Sequence, residues 1–254
     1  MGTMIKRALM GAAAVFVVAC NSGPSQTPEN TVGGANVVSF KEAPLKKGTT
    51  DLTLDWGSKG QAGQVAIAVV LSYGGSKPTI TAPAGWQLIR DDSTKTTRQS
   101  LYWHAIQASD ASTATWTFSE PVDAQSAIVL VDNVATAAPV DMTSGNTSES
   151  GGSMTAKSVA TTSDGDLILA FDATDFGAYR PTSCGTCDGL NPKLPPNVSV
   201  VLNHESTALE YWILANYQNQ AGDTEPQTSE APQFFNWVAA QVAIKRGAVT
   251  SATP

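Results

Sequence analysis

The side chains able to do chemistry are few. Three cysteines and two histidines occur in 254 residues. Cys20 ends an apolar run from Ala8 to Ala19, and Cys184-Gly185-Thr186-Cys187 is a C-x-x-C pair. Such a pair can bind zinc, exchange thiols or close on itself. Zinc needs two more ligands, and His104 and His204 are the only imidazoles on offer. A thioredoxin-like site precedes a helix in a βαβ unit, and no helical period is visible here. In an exported chain, the expectation is a local disulfide between Cys184 and Cys187.

Searches for catalytic constellations come back empty. There is no G-x-S-x-G elbow, no phosphate-cradling Gly-Lys loop and no H-E-x-x-H, since His204-Glu205 lacks its second histidine. Asp91-Asp92 and the pair Glu205 and Glu210 are the carboxylates that a glycoside hydrolase would need at a defined separation. Solvated turn charges are the plainer explanation. The expectation is no cofactor; calcium, if held at all, would fall on Asp164, Asp166 and Asp175, or on Asp172 in place of Asp175, although no loop has the EF-hand spacing. Six Trp and five Tyr raise sugar stacking as a function. Trp86, Trp103 and Trp116 sit in alternating strands or turn ends and are assigned to packing. Trp212 and Trp237 are the surface candidates for a ligand, with Tyr179 and Arg180 in the long connection between Asp172 and Lys193.

Short strands must position these groups. Gly165-Asp166-Leu167-Ile168-Leu169-Ala170-Phe171 alternates large apolar residues with period two, as does Gly63-Gln64-Val65-Ala66-Ile67-Ala68-Val69. Each opens a similar series. The first continues through Gln87–Ile89, Ser100–Ile106, Ala114–Phe118 and Ala127–Val131. The second continues through Val198–Leu202, Ala208–Leu214 and Asn236–Ile244, with Leu101 set against Leu209. Val37–Phe40 and Leu52–Trp56 read as rim strands of the first half, and Thr143–Ser153 as a passive connection. The predicted fold is all-β: an antiparallel β-sandwich, jelly-roll-like, built from two diverged five-strand halves over 37–134 and 156–247. One such half would leave a bare apolar face, so 37–247 is expected to be a single domain. The step from Gly165 to Pro196 is about ten residues longer than that from Gly63 to Pro83, and the cysteine pair lies in that insertion. Long connections on a rigid sandwich are where recognition usually sits.

The N-terminus addresses the chain. Met1–Arg7 is a short basic region, and the apolar run that follows is too short to span a bilayer. Val17-Val18-Ala19-Cys20 resembles the lipobox of bacterial lipoproteins. That resemblance implies a signal peptide over 1–19, acylation of Cys20, a flexible tether to residue 36, and a bilayer as first partner. With no Asp at position 21, it also implies the outer membrane in a Gram-negative host. Without Lys6 and Arg7, 13 basic residues face 22 acidic ones, a net charge of −9 that argues against nucleic acid as partner. Residues 248–254 read as a frayed tail.

The order G-D-L-apolar-apolar-A, P-x-G-W, L-x-aromatic, T-x-T-W and a closing apolar strand resembles a β-sandwich module of secreted bacterial and phage tail proteins. The second half departs from it at Pro195-Pro196-Asn197-Val198. The resemblance implies a structural module and carries no catalytic residues. The expected function is a membrane-anchored extracytoplasmic lipoprotein whose sandwich binds a glycan or an envelope or surface protein, or is purely structural. The alternative is a glycan-active enzyme using surface carboxylates.

Overall fold

The computed structural model describes residues 34–57, 60–150, 152–175, 198–205, 209–231 and 236–248. Six strands come first: β1 (Asn36–Asp55), β2 (Val65–Tyr73), β3 (Ile80–Thr81), β4 (Gln87–Ser93), β5 (Thr97–Ala105) and β6 (Thr113–Asp132). Nine follow: β7 (Val140–Ser148), β8 (Gly152–Ala156), β9 (Ala160–Thr161), β10 (Asp166–Asp175), β11 (Ser199–Glu205), β12 (Leu209–Gln218), β13 (Gly222–Asp223), β14 (Gln227–Ala231) and β15 (Trp237–Ile244). All named pairings are antiparallel.

Two sheets make the sandwich. The first has the order β1-β6-β2-β5-β4, and the second β11-β12-β10-β15-β7. Each draws its strands from one half of the chain. With β3, which pairs with β6 off this path, left aside, and numbered in chain order from the first strand, each sheet has the same order, 1-5-2-4-3. The alternation seen in sequence sorts the side chains. Val65, Ile67, Val69 and Leu71 point inward from β2, and Leu167, Leu169, Phe171 and Ala173 point inward from β10, meeting in one core. Fully burying a side chain of this size contributes about 1.5–3 kcal/mol, so this row alone fixes which face of each sheet is inside.

Each sheet also carries a second, outer layer. β1 climbs the edge of the first sheet, bends through Pro44–Thr49, where its register with β6 shifts repeatedly, and returns over the outer face. β6 makes the matching bend near Pro121. The returning residues Leu52, Leu54, Trp116 and Phe118 cover Ala66, Ala68 and Val70. On the second sheet the outer layer is split into two-stranded pieces, β8·β14 and β9·β13. Met154 and Ala156 of β8 lie over Ala170, Trp212, Leu214 and Ala239.

Several expectations change. The two rim strands of the first half are one bent strand, and the T-x-T-W and closing strands are likewise one. Thr143–Ser153 is not a passive connection: β7 is the edge of the second sheet, paired with β15, and β8 starts its outer layer. Backbone pairing recruits this polar stretch where apolar content gave no signal. Residues 91–93 belong to β4 rather than to a turn. Register also sets Leu101 against Val69 but Ile213 against Phe171, so Ile213, not Leu209, holds the place of Leu101.

Candidate functional site

Cys20, Tyr179, Arg180, Cys184 and Cys187 lie outside the described residues. The remaining candidates are placed, and three groups of them change meaning.

Trp212 and Trp237 are not surface rings. Their exposures are 1% and 5%, because β8·β14 covers the outer face of the second sheet on which both stand. On the first sheet, Trp86 belongs to an aromatic group under the P-x-G-W turn. Its ring stacks on His104 at 5.3 Å and meets Trp116 edge-on at 4.9 Å. His104 Nδ1 faces the Gly85 carbonyl at 3.0 Å, and Nε2 faces Asp110 at 2.7 Å. Gly85 has φ +84, and a Cβ there would meet the imidazole at 2.9 Å, so the turn admits glycine alone. The Asp110 carboxyl is held below the usual range: desolvation opposes this, but the Gln107 N–H and His104 outweigh it. The arrangement locks a turn onto a sheet.

The calcium candidates do not converge. Asp164 is exposed and accepts a hydrogen bond from the Ala221 N–H at 2.7 Å. Asp166 is fully buried at one end of β10, and Asp175 is buried at the other. At about 3.3 Å per residue, ten residues separate them by roughly 30 Å. Among the described residues, no group of three or more His, Cys, Asp or Glu could hold a metal ion. Asp166 instead faces Asp141 of β7. Burial, then Asp141, pushes its carboxyl up to about 7, against the pull of Lys245. Asp141 moves the other way: its desolvation is outweighed by the hydroxyl and N–H of Thr162 and by Lys245, 3.4 Å away.

Two of the carboxylates considered for hydrolysis, Asp91 and Asp92, are engaged. Asp91 is gripped by both nitrogens of the Arg98 fork and accepts from Ser100 Oγ at 3.0 Å. Asp92 is held by Arg90, which also donates to Thr143 Oγ1 at 3.1 Å. Glu205 and Glu210 are the last and second residues of the neighbouring strands β11 and β12, opposite one another in register.

The alternative calcium candidate of β10 is a buried carboxyl standing by itself. Asp172 is 1% exposed, accepts one hydrogen bond, from Ser229 Oγ at 2.8 Å, and is pushed up to about 7 by burial. Its signal was present in sequence. Alternation puts it on the face of Ile168 and Ala170, a buried face for a strand under an outer layer.

What the fold does bring together is loops. At one pole, Asn36 pairs with Asp132, Tyr217 Oη donates to Asn36 Oδ1 at 3.1 Å, and Ile244 ends β15 beside Leu167. Both ends of the described chain therefore leave from this pole. At the other, the turns after β2 and β4 meet the end of β10 and the starts of β12 and β15. Asn236 Nδ2 donates to Thr96 Oγ1 at 2.6 Å, and Lys95 pairs with Glu149, tying the loops of the two sheets together. Ser72, Lys77, Thr94, Lys95 and Arg98 line a shallow, open depression that encloses no volume of its own. This pole suits contact over a surface. No protein-family model, curated protein or solved structure matches the chain.

Proposed function

We propose that this chain is a lipid-anchored, non-catalytic binding module of a bacterial cell envelope. Acylated Cys20 holds it to the membrane, the outer one in a Gram-negative host. It meets a glycan or an envelope or surface protein through the pole opposite the chain ends. The observation behind this reading is that both ends of the described chain leave from one pole, while the long connection after β10 departs from the other. The N-terminal end of β1 leaves from one pole, and the turns after β2 and β4 and the end of β10 lie at the other, roughly 30 Å away along the strands. A module tethered at the first pole presents the second outward.

Two finer points belong to the same reading. The sheets are diverged copies of one ancestral half, a view supported by their shared 1-5-2-4-3 order and by the matching outer pairs β1·β6 and β8·β14. The connection from β10 to β11 is pinned by a Cys184–Cys187 disulfide, and Tyr179 and Arg180 within it contribute to recognition.

Membrane fractionation tests the anchor: Cys20→Ser should move the protein from the membrane to the soluble fraction, and unchanged fractionation defeats the reading. A glycan array and a pull-down from envelope extract, each with and without calcium, test the binding. Shortening the β10–β11 connection should abolish capture without lowering the thermal midpoint. Turnover of a glycan that stops when one carboxylate is replaced would establish the enzyme instead.

A further inference from the structure

Asp172 stands where the first half of the chain has a valine. Val65 and Leu167 hold the same place beside Val131 and Ile244, so five residues later Val70 and Asp172 coincide. Val70 is packed beneath Leu52, Leu54, Trp116 and Phe118. The layer over Asp172 is much thinner. β8 and β14 pair only with each other, and they face the sheet with Met154, Ala156, Gln227 and Ser229. A two-stranded piece with so little apolar contact is the element expected to open first.

The environment of the carboxyl is equally specific. Ser229 Oγ donates to Oδ2, while Oδ1 has no hydrogen-bond partner. Trp212 of β12 and Ala239 of β15 flank Asp172 in register, and Met154 of β8 belongs to the same buried cluster. No described charged side chain faces it. The acidic residues on the elements packed against it are Glu210 of β12, opposite Thr174, and Glu230 of β14, opposite Ser153. Asp166 and Lys245 lie at the other end of the sheet. A neutral carboxyl can rest in this setting, whereas a carboxylate would be buried with one hydrogen bond and no counter-charge.

We infer that Asp172 is a proton-operated latch: its neutral carboxyl keeps the β8·β14 layer shut on the second sheet, and loss of that proton to water releases the layer. The sign follows from linkage. Closed, the group titrates at about 7, raised by burial against the opposing Ser229 bond. Open, it meets water and titrates near the ordinary value of about 4. The opening equilibrium is therefore flat below about pH 4, rises about tenfold per unit to about pH 7, and levels above, a span of up to about a thousandfold.

Hydrogen exchange of the mature chain from pH 4.5 to 8.5, corrected for intrinsic rates, reads this directly. Amides of 152–156 and 227–231 should open about tenfold more per pH unit until about pH 7 and then plateau. Asp172→Asn should flatten that profile. Asp172→Val, which restores the residue at the matching place in the first sheet, should flatten it and slow exchange throughout. Asp166→Asn should leave the slope of the layer unchanged while altering that of β7, whose Asp141 it faces. A flat wild-type profile, or a wild-type slope retained in both Asp172 variants, overturns the latch.

Discussion

Arg90 of β4 lies directly over Gly145 of β7, so close that a Cβ on Gly145 would sit 1.7 Å from a terminal guanidinium nitrogen. The two residues join the edges of opposite sheets. Asp92 orients the guanidinium, and Thr143 Oγ1 receives it on the far side. Gly145→Ala should therefore expel Arg90 and lower stability by about 1–3 kcal/mol. Denaturation of both single variants and of Gly145→Ala with Arg90→Ala should reveal strong coupling, the double variant losing less than the sum of the singles. Additive losses would show that the edges are joined elsewhere.

Stability should fall as pH rises from about 4 to about 7. Asp166 and Asp172 keep their protons in the folded chain up to about 7, whereas the unfolded chain releases them near 4. Over that window only the folded state binds these protons, so each added unit of pH favours unfolding. Asp110 and Asp141, held below the usual range, act oppositely and withdraw stability only below about pH 4. Urea midpoints of wild type and Asp166→Asn across pH 4.5–8 check this: the variant should show the shallower decline.

Trp212→Ala should act on the fold before it acts on any ligand. The indole is buried between the second sheet and its outer layer, and removing it should cost about 3–5 kcal/mol. A variant of unchanged thermal midpoint that loses binding would return Trp212 to the surface role expected from sequence.

Residues 34–134 and 140–248, expressed apart, should each fail to unfold cooperatively. Each would expose an inner face such as Val65, Ile67, Val69 and Leu71, or Leu167, Leu169, Phe171 and Ala173. Sharp thermal transitions in the isolated pieces would contradict this.

Thiol labelling of the mature chain, denatured without reductant, should find Cys184 and Cys187 blocked. Free thiols at both would rule out the disulfide.

The inner faces were legible because their alternation is written in large apolar residues, as at Leu167, Leu169 and Phe171. β7 was not, because Asp-Met-Thr-Ser-Gly-Asn-Thr-Ser is an edge strand whose place is set by backbone pairing and by Arg90 settling on Gly145. The burial of Trp212 and Trp237 was hidden for a related reason. The layer that covers them turns Gln227 and Ser229 inward and carries too little apolar signal to reveal itself. The loop pole was legible only as a long connection. Which turns stand beside it depends on register, which no local pattern encodes.

The pairing of β1 with β6 has a mechanical consequence. A pull between the N-terminal end of β1 and the opposite pole runs along the strands and not across them. Residues 36–43 of β1 would have to slide past β6 with their ladder bonds loaded together, rather than peel away one at a time. A module gripped at its loops and held at its tether meets tension in shear, the direction in which an antiparallel pair yields last.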